Sequence, residues 1–239
     1  MDKIIQMLNN IHIKEALDVA TGRGQYINFL KENLGSFEKI IGLDNHEYSL
    51  KMAKKKFEED SRIEFIEKDL YRLDSEKNKY DLISISNSLH HFEKPKECLR
   101  KLFCLLNENG YLILNEMHKD GEQMESQKIH IKLHHWSARI DRYNGIYHAE
   151  TFNHKKIDNL TNSLGLKDKK VVKFKYPYDE ENQAEIKKHL KKILNKKMEQ
   201  MNKNCNIYFD LKKEKDKIIK NLNKYGFASA GMTFIIGRK

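Results

Sequence analysis

Two glycines and two carboxylates give this chain of 239 residues its first chemical signal. In Asp18-Val-Ala-Thr-Gly-Arg-Gly24, Gly22 and Gly24 let the backbone approach a ligand closely and accept the positive φ that tight turns need. Asp44 follows twenty residues beyond Gly24, at the end of the apolar run Ile40–Leu43. A carboxylate at that place and spacing can accept both hydroxyls of a ribose. A helix opening near Gln25 would leave its first N–H groups unpaired and partly positive beside the turn. The chemistry these residues suit is the holding of a nucleotide-like ligand. The match to the dinucleotide pattern G-x-G-x-x-G is partial, because Ile27 stands where a third small residue belongs.

Imidazoles form the second concentration. His118, His130, His134, His135, His148 and His154 crowd one polar stretch. His130 and His134 are spaced i, i+4 and share a helix face, the spacing a metal pair needs, and Glu116, Glu122, Asp141 or Glu150 could complete such a site. A second reading is general-base work, with His135 and His148 taking a proton from a phenol, thiol or amine. A third is a polar surface segment of satisfied histidines, and no resident metal is assigned. Trp136, Tyr143, Tyr147 and Phe152 in the same stretch could line an apolar pocket or form a small core of their own. Gly145 could hinge a lid.

The elements that must position these residues follow from periodicity. A short helix over 2–10 leads into a strand at 15–20, a helix at 24–34 and a strand at 38–43. Asn45 can cap a helix over 46–58, where Leu50, Ala53 and Phe57 keep the 3.6-residue period. Strands follow at 63–67 and 80–86, the second an apolar run suited to the centre of a parallel sheet. Pro95 opens a helix over 95–106, and Asn109-Gly110 turns into a strand at 111–115. Further on we expect helices at about 122–140 and from Thr151, a strand at 169–176 stopped by Pro177, two lysine-rich helices over 179–224 broken near 202–210, and a last strand at 228–236. Five strands alternating with helices mean an α/β, doubly wound parallel sheet, which binds ligands beyond the carboxyl ends of its strands. Gly22–Gly24, Asp44, Asp69 and Ser86–Phe92 all fall at those ends.

The flank from Asp18 to Gly24 resembles motif I of class I S-adenosylmethionine-dependent methyltransferases, with Ala20 where many members carry a first glycine. Ser86-Asn-Ser-Leu-His-His-Phe92 resembles motif IV of the small-molecule branch, the group that includes the quinone methyltransferases. The likeness covers about 15–116 and more loosely 151–176 and 227–239. It implies a Rossmann-like, mostly parallel seven-stranded sheet whose last strand runs antiparallel between the fifth and sixth. It implies S-adenosylmethionine as cofactor. Asp18 would hold the methionine end, and Ala20, Gly22 and Gly24 would form the turn along the aminopropyl chain. Asp44 would take the ribose, Asn45 the adenine edge and Asp69 the adenine amino group, with Leu70 giving a backbone contact and Ser86 lying at the cofactor. In motif IV one ring of the His90-His91 pair is expected to pack and the other to face substrate, with His91 taken as the catalytic candidate. The motif lacks the Asn/Asp-Pro-Pro-aromatic pattern of base N-methyltransferases, and no cysteine follows a proline here as in 5-methylcytosine enzymes.

The composition sets the remaining limits. The length suits one domain, 1–239, with insertions at 117–150 and 178–224 that would roof a pocket and select the acceptor. No apolar run approaches the ~20 residues of a membrane span, and no secretory h-region opens the chain, so a cytoplasmic protein is expected. Cys98, Cys104 and Cys205 lack metal spacing and read as buried free thiols. The net charge of +10 raises a nucleic-acid reading, but the excess is scattered lysine rather than arginine interleaved with aromatics, which argues against it. The expected function is methyl transfer from S-adenosylmethionine to a small molecule. RNA or protein methylation docked on the basic helices, a non-catalytic cofactor-binding module and an NAD(P)-dependent reductase are the competitors.

Overall fold

A computed structural model describes residues 1–239. In chain order the elements are α1 (Asp2–Asn9), β1 (Glu15–Val19), α2 (Gln25–Asn33), β2 (Lys39–Asp44), α3 (Glu47–Lys56), β3 (Ile63–Glu67), β4 (Tyr80–Ser86), α4 (Pro95–Leu105), β5 (Leu106–Met117), α5 (Glu125–Tyr143), α6 (His154–Asn162), β6 (Lys167–Phe174), α7 (Gln183–Glu199), α8 (Tyr208–Tyr225) and β7 (Met232–Arg238). Two compact units result. The first comprises Met1–Glu116, Lys155–Phe174 and Met232–Lys239, and the second Met117–His154 and Lys175–Gly231. No helix is long and apolar enough to cross a membrane.

The first unit is built on a seven-stranded sheet of order β3-β2-β1-β4-β5-β7-β6. β1 pairs in parallel with β2 and β4, β2 with β3, and β4 with β5, while β6 and β7 are antiparallel. This is the sheet the sequence led us to expect, the last strand lying between the fifth and sixth. Ala16–Val19 and Leu82–Ile85 are buried throughout, as central parallel strands must be when helices cover both faces. α1 and α2 contribute Ile4, Leu8, Ile27 and Leu30 to the same core. The strand order reverses between β1 and β4, so the turns after those two strands flank the crevice where such sheets bind ligands.

The second unit has its own core, in which Ile129, Trp136 and Ile140 of α5 meet Leu194 and Met198 of α7 and Leu211, Ile218 and Leu222 of α8. Trp136 is fully buried and donates its indole N–H to the Leu211 carbonyl at 2.9 Å. It belongs to this core, which decides between the two readings of that aromatic.

Several boundaries differ from expectation, each for a visible reason. The final strand starts at Met232 rather than 228, because the backbone just before it bonds to side chains instead of a neighbouring strand. Gln127 donates to the Ser229 carbonyl, His130 Nδ1 accepts from Ala230 N–H, and Gln123 Oε1 accepts from Gly231 N–H. β5 begins at once after α4, and a register shift against β4 between Tyr80 and Leu82 absorbs the Asn109-Gly110 turn, with Asn109 at φ 65°. α3 is capped by His46, not Asn45: His46 Nδ1 accepts from Ser49 N–H at 3.2 Å. Of the three free cysteines only Cys98 is buried, which pushes its thiol well above the usual range; Cys104 is exposed and Cys205 half-buried.

Candidate active site

The turn after β1 is held in left-handed backbone. Ala20, Gly22 and Gly24 have φ of 53°, 56° and 72°. Only glycine takes this conformation freely, so Ala20 is strained where glycine would not be. Gly24 is also constrained by packing, since a Cβ there would come 2.7 Å from the Phe57 ring. At Gly22 a Cβ would meet nothing within 4 Å, which leaves open space above that backbone.

Asp18 lies one residue inside β1, across from Ser84 on β4. Its Oδ1 accepts from the Ser84 hydroxyl at 2.6 Å, and its Oδ2 is buried with no hydrogen-bond partner. Burial pushes its pKa up to about 6, against the opposing effect of the Ser84 hydroxyl. The Thr21 hydroxyl is near enough to lower it further, without hydrogen-bonding geometry. A buried acceptor with a free lone pair costs free energy until a donor meets it. Ser84 escaped the sequence reading; its signal was a hydroxyl inside an otherwise apolar central strand.

Asp44 ends β2 and ties two loops together. Its Oδ2 accepts from Gly22 N–H at 2.8 Å and its Oδ1 from His46 N–H at 2.9 Å. A carboxylate has about four lone-pair sites, so each oxygen keeps one. Asn45 beside it is exposed. Asp69 is exposed and caps a single 3-10 turn over Leu70–Arg72, accepting from Tyr71 N–H at 2.7 Å, while Leu70 is buried.

The turn after β4 is organised by a residue given only a minor part in the sequence reading. Glu116, fully buried on β5, accepts from Ser88 N–H at 2.9 Å and Leu89 N–H at 2.6 Å, and sits 3.0 Å from His90 Nδ1. His90 is thereby the packed member of the pair, and His91 is exposed with its ring 4.4 Å from that of His90. Ser86 is half-buried and its hydroxyl accepts from Asn115 Nδ2 at 3.1 Å. Asn87, at φ 48°, donates its N–H to the Asn115 carbonyl at 2.8 Å. The Ser88 hydroxyl donates to the Ser86 carbonyl at 2.8 Å. Asp18, Ala20, Gly22, Gly24, Asp44, Asn45, Asp69, Leu70, Ser86 and His91 thus all belong to the first unit.

The other two histidine candidates belong to the second. His135 Nε2 lies 2.7 Å from the Thr151 hydroxyl, and burial lowers its pKa, opposed by Glu150. His148 is buried, with Nδ1 2.7 Å from Asp141 Oδ2 and Nε2 3.2 Å from His134 Nε2. Of the i, i+4 pair, His130 has its Nδ1 taken by the Ala230 N–H, while His134 Nε2 meets His148. Besides accepting from Ala230, His130 packs on Phe227, and burial lowers its pKa to about 4.

A methyltransferase domain family matches residues 17–114. A demethylmenaquinone methyltransferase of Lactococcus lactis subsp. lactis is 28% identical over 116 residues, covering 48% of this chain and 46% of that relative. The chain spans about half the length of such curated relatives. Among solved structures, the YcgJ protein of Bacillus subtilis is similar with a TM-score of 0.60 at 15% identity, over 100% of this chain and 97% of that one. Phosphoethanolamine N-methyltransferase 2 of Haemonchus contortus, solved with phosphomonomethylethanolamine and S-adenosylhomocysteine, gives 0.57 at 14% identity, over 99% and 51%. At these identities the solved structures speak for the fold.

Proposed function

We propose that the chain, whose residues 17–114 match a methyltransferase domain family, transfers a methyl group from S-adenosylmethionine to a small-molecule acceptor. One observation carries the proposal. The buried, unpartnered Asp18 Oδ2 lies beside a left-handed turn whose Gly22 has open space above it and whose backbone is tied to Asp44. An amino-acid ammonium is the donor that Asp18 lacks, and the remaining lone pairs of Asp44 suit vicinal hydroxyls. Both groups belong to S-adenosylmethionine, so the residues fit it.

The cofactor supplies a methyl already activated by the sulfonium charge. The chain's contribution is position. Asp18 anchors the methionine end, Ala20, Gly22 and Gly24 shape the turn along its chain, and Asp44 fixes the ribose. Asn45, Asp69 and the Leu70 backbone face the adenine, with Ser86 closing the turn after β4. Orientation of this kind is worth several kcal/mol of barrier in displacement chemistry. His91, His135 and His148 are the candidates for taking a proton from the acceptor. Glu116 positions the segment that carries His91. A demethylmenaquinone-type compound is the first acceptor to assay, in view of the name the curated relatives carry.

Thermal unfolding with S-adenosylhomocysteine, with NADH and with neither tests the cofactor. At about 100 times its Kd a ligand adds roughly 2.7 kcal/mol, which raises Tm by several degrees at this size. We expect a rise with S-adenosylhomocysteine alone, lost in Asp44→Ala. A rise with NADH alone, or none with either, would overturn the proposal.

A further inference from the structure

In the second unit, His134 on α5 and His148 in the loop after it face each other through their Nε2 atoms, 3.2 Å apart, with ring planes at 83°. Behind His148 stands Asp141, seven residues along α5 from His134, its Oδ2 2.7 Å from His148 Nδ1. Arg142 Nη1 donates to the His148 carbonyl at 2.5 Å, and Lys197 Nζ stands 3.4 Å from Asp141 Oδ1. His148 is therefore fixed at its ring, by its main chain and by a carboxylate that is itself braced. Because Asp141 only accepts, Nδ1 of a neutral His148 carries the hydrogen and Nε2 presents its lone pair toward His134.

A hydrogen on His134 Nε2 makes this an ordinary hydrogen bond; with that hydrogen on Nδ1 instead, two imidazole lone pairs face each other and need a cation between them. A tetrahedral zinc ion with bonds of about 2.0–2.1 Å separates two ligand nitrogens by about 3.3 Å, close to the spacing seen here. A carboxylate behind a ligating histidine is also how metal sites fix the tautomer and aim the ring. We propose that His134 and His148 form a two-histidine site for a divalent transition metal ion, Zn²⁺ foremost, with Asp141 as the orienting carboxylate and water completing the coordination. Neutral imidazole suits this class of ion and not Mg²⁺ or Ca²⁺. The ion would occupy the His148 lone pair, leaving His91 and His135 for proton transfer. The inference goes beyond the methyl-transfer reading and does not rest on it, and its test reads metal rather than turnover.

Metal-stripped full-length protein is titrated calorimetrically with Zn²⁺, and with Co²⁺ followed by visible absorption. One ion per chain is expected. His134→Gln and His148→Gln should each weaken binding at least tenfold and abolish the four-coordinate Co²⁺ bands. Asp141→Asn should weaken it about 10–100-fold. His189→Gln, at an exposed histidine of α7, should change nothing. Trp136 fluorescence checks that each variant is folded. If His148→Gln is not, the wild-type ring resonances decide, since Zn²⁺ must shift those of His134 and His148 before any other histidine. Binding equally tight in every variant, or none up to millimolar Zn²⁺, would overturn the proposal and leave the two rings sharing a proton.

Discussion

Asp18, placed in the proposed cofactor site, carries a cost in the free protein that pH should expose. Its carboxyl is about 1% exposed, has one oxygen unpaired, and holds its proton up to about pH 6 against an ordinary 3.8. Between those values the folded chain keeps a proton that the unfolded chain releases. Stability therefore falls as pH rises through this window, the sign for a carboxyl raised on folding. A difference of about 2.2 pKa units at 1.36 kcal/mol each gives about 3 kcal/mol, or about 6 °C in Tm for a chain of this size. Asp18→Asn removes the titration while keeping size and shape. The quantity to measure is the unfolding free energy of wild type minus that of Asp18→Asn, by urea denaturation at several pH values from 4 to 7. It should fall by about 2.4 kcal/mol across that range, the remainder lying below pH 4. If an ammonium is the missing partner, binding of S-adenosylhomocysteine should tighten as pH rises through 6 and release a proton below it. A difference that stays flat from pH 4 to 7 would refute the reasoning, because Asp18 would then ionise in the folded chain as it does in the unfolded one.

His130 should act with the opposite sign. Burial lowers it to about 4 from 6.5, so its contribution is complete above pH 6.5 and lost as pH falls toward 4, by about 3 kcal/mol. Its ring-proton NMR signals should not titrate above pH 5. Ala20→Gly should relieve about 1–2 kcal/mol of left-handed strain, offset by about 0.4–1 kcal/mol of added freedom in the unfolded chain, for a small net gain in Tm. Trp136→Ala should cost about 3–5 kcal/mol in urea denaturation, and Trp136→Phe about 1–2 kcal/mol through the Leu211 carbonyl left unpaired.

The order of strands and helices, the Asp18–Gly24 turn, Asp44 and the strand-end placement of Ser86–His91 were legible in the sequence. So was the reversed last strand, once the resemblance in motifs I and IV was recognised. These features are written in neighbouring residues: apolar runs of strand length, helical periods, and glycines where the backbone must turn left-handed. What the sequence left open depends on partners far apart in the chain. Ser84 reaches Asp18 across 66 positions because β1 and β4 are adjacent in the sheet. Glu116 takes up the Ser88 and Leu89 N–H groups from 28 and 27 positions away, which makes His90 the packed histidine and leaves His91 exposed. The same holds for the imidazoles of the second unit. Spacing paired His130 with His134, but Ala230, 100 positions on, claimed His130, and the loop after α5 brought His148 to His134 instead. Local pattern determines which backbone conformation a residue adopts. Which side chain satisfies a buried polar atom is decided only when the tertiary fold sets the candidates side by side, because that choice depends on distance in space and on the cost of leaving any one of them unpaired.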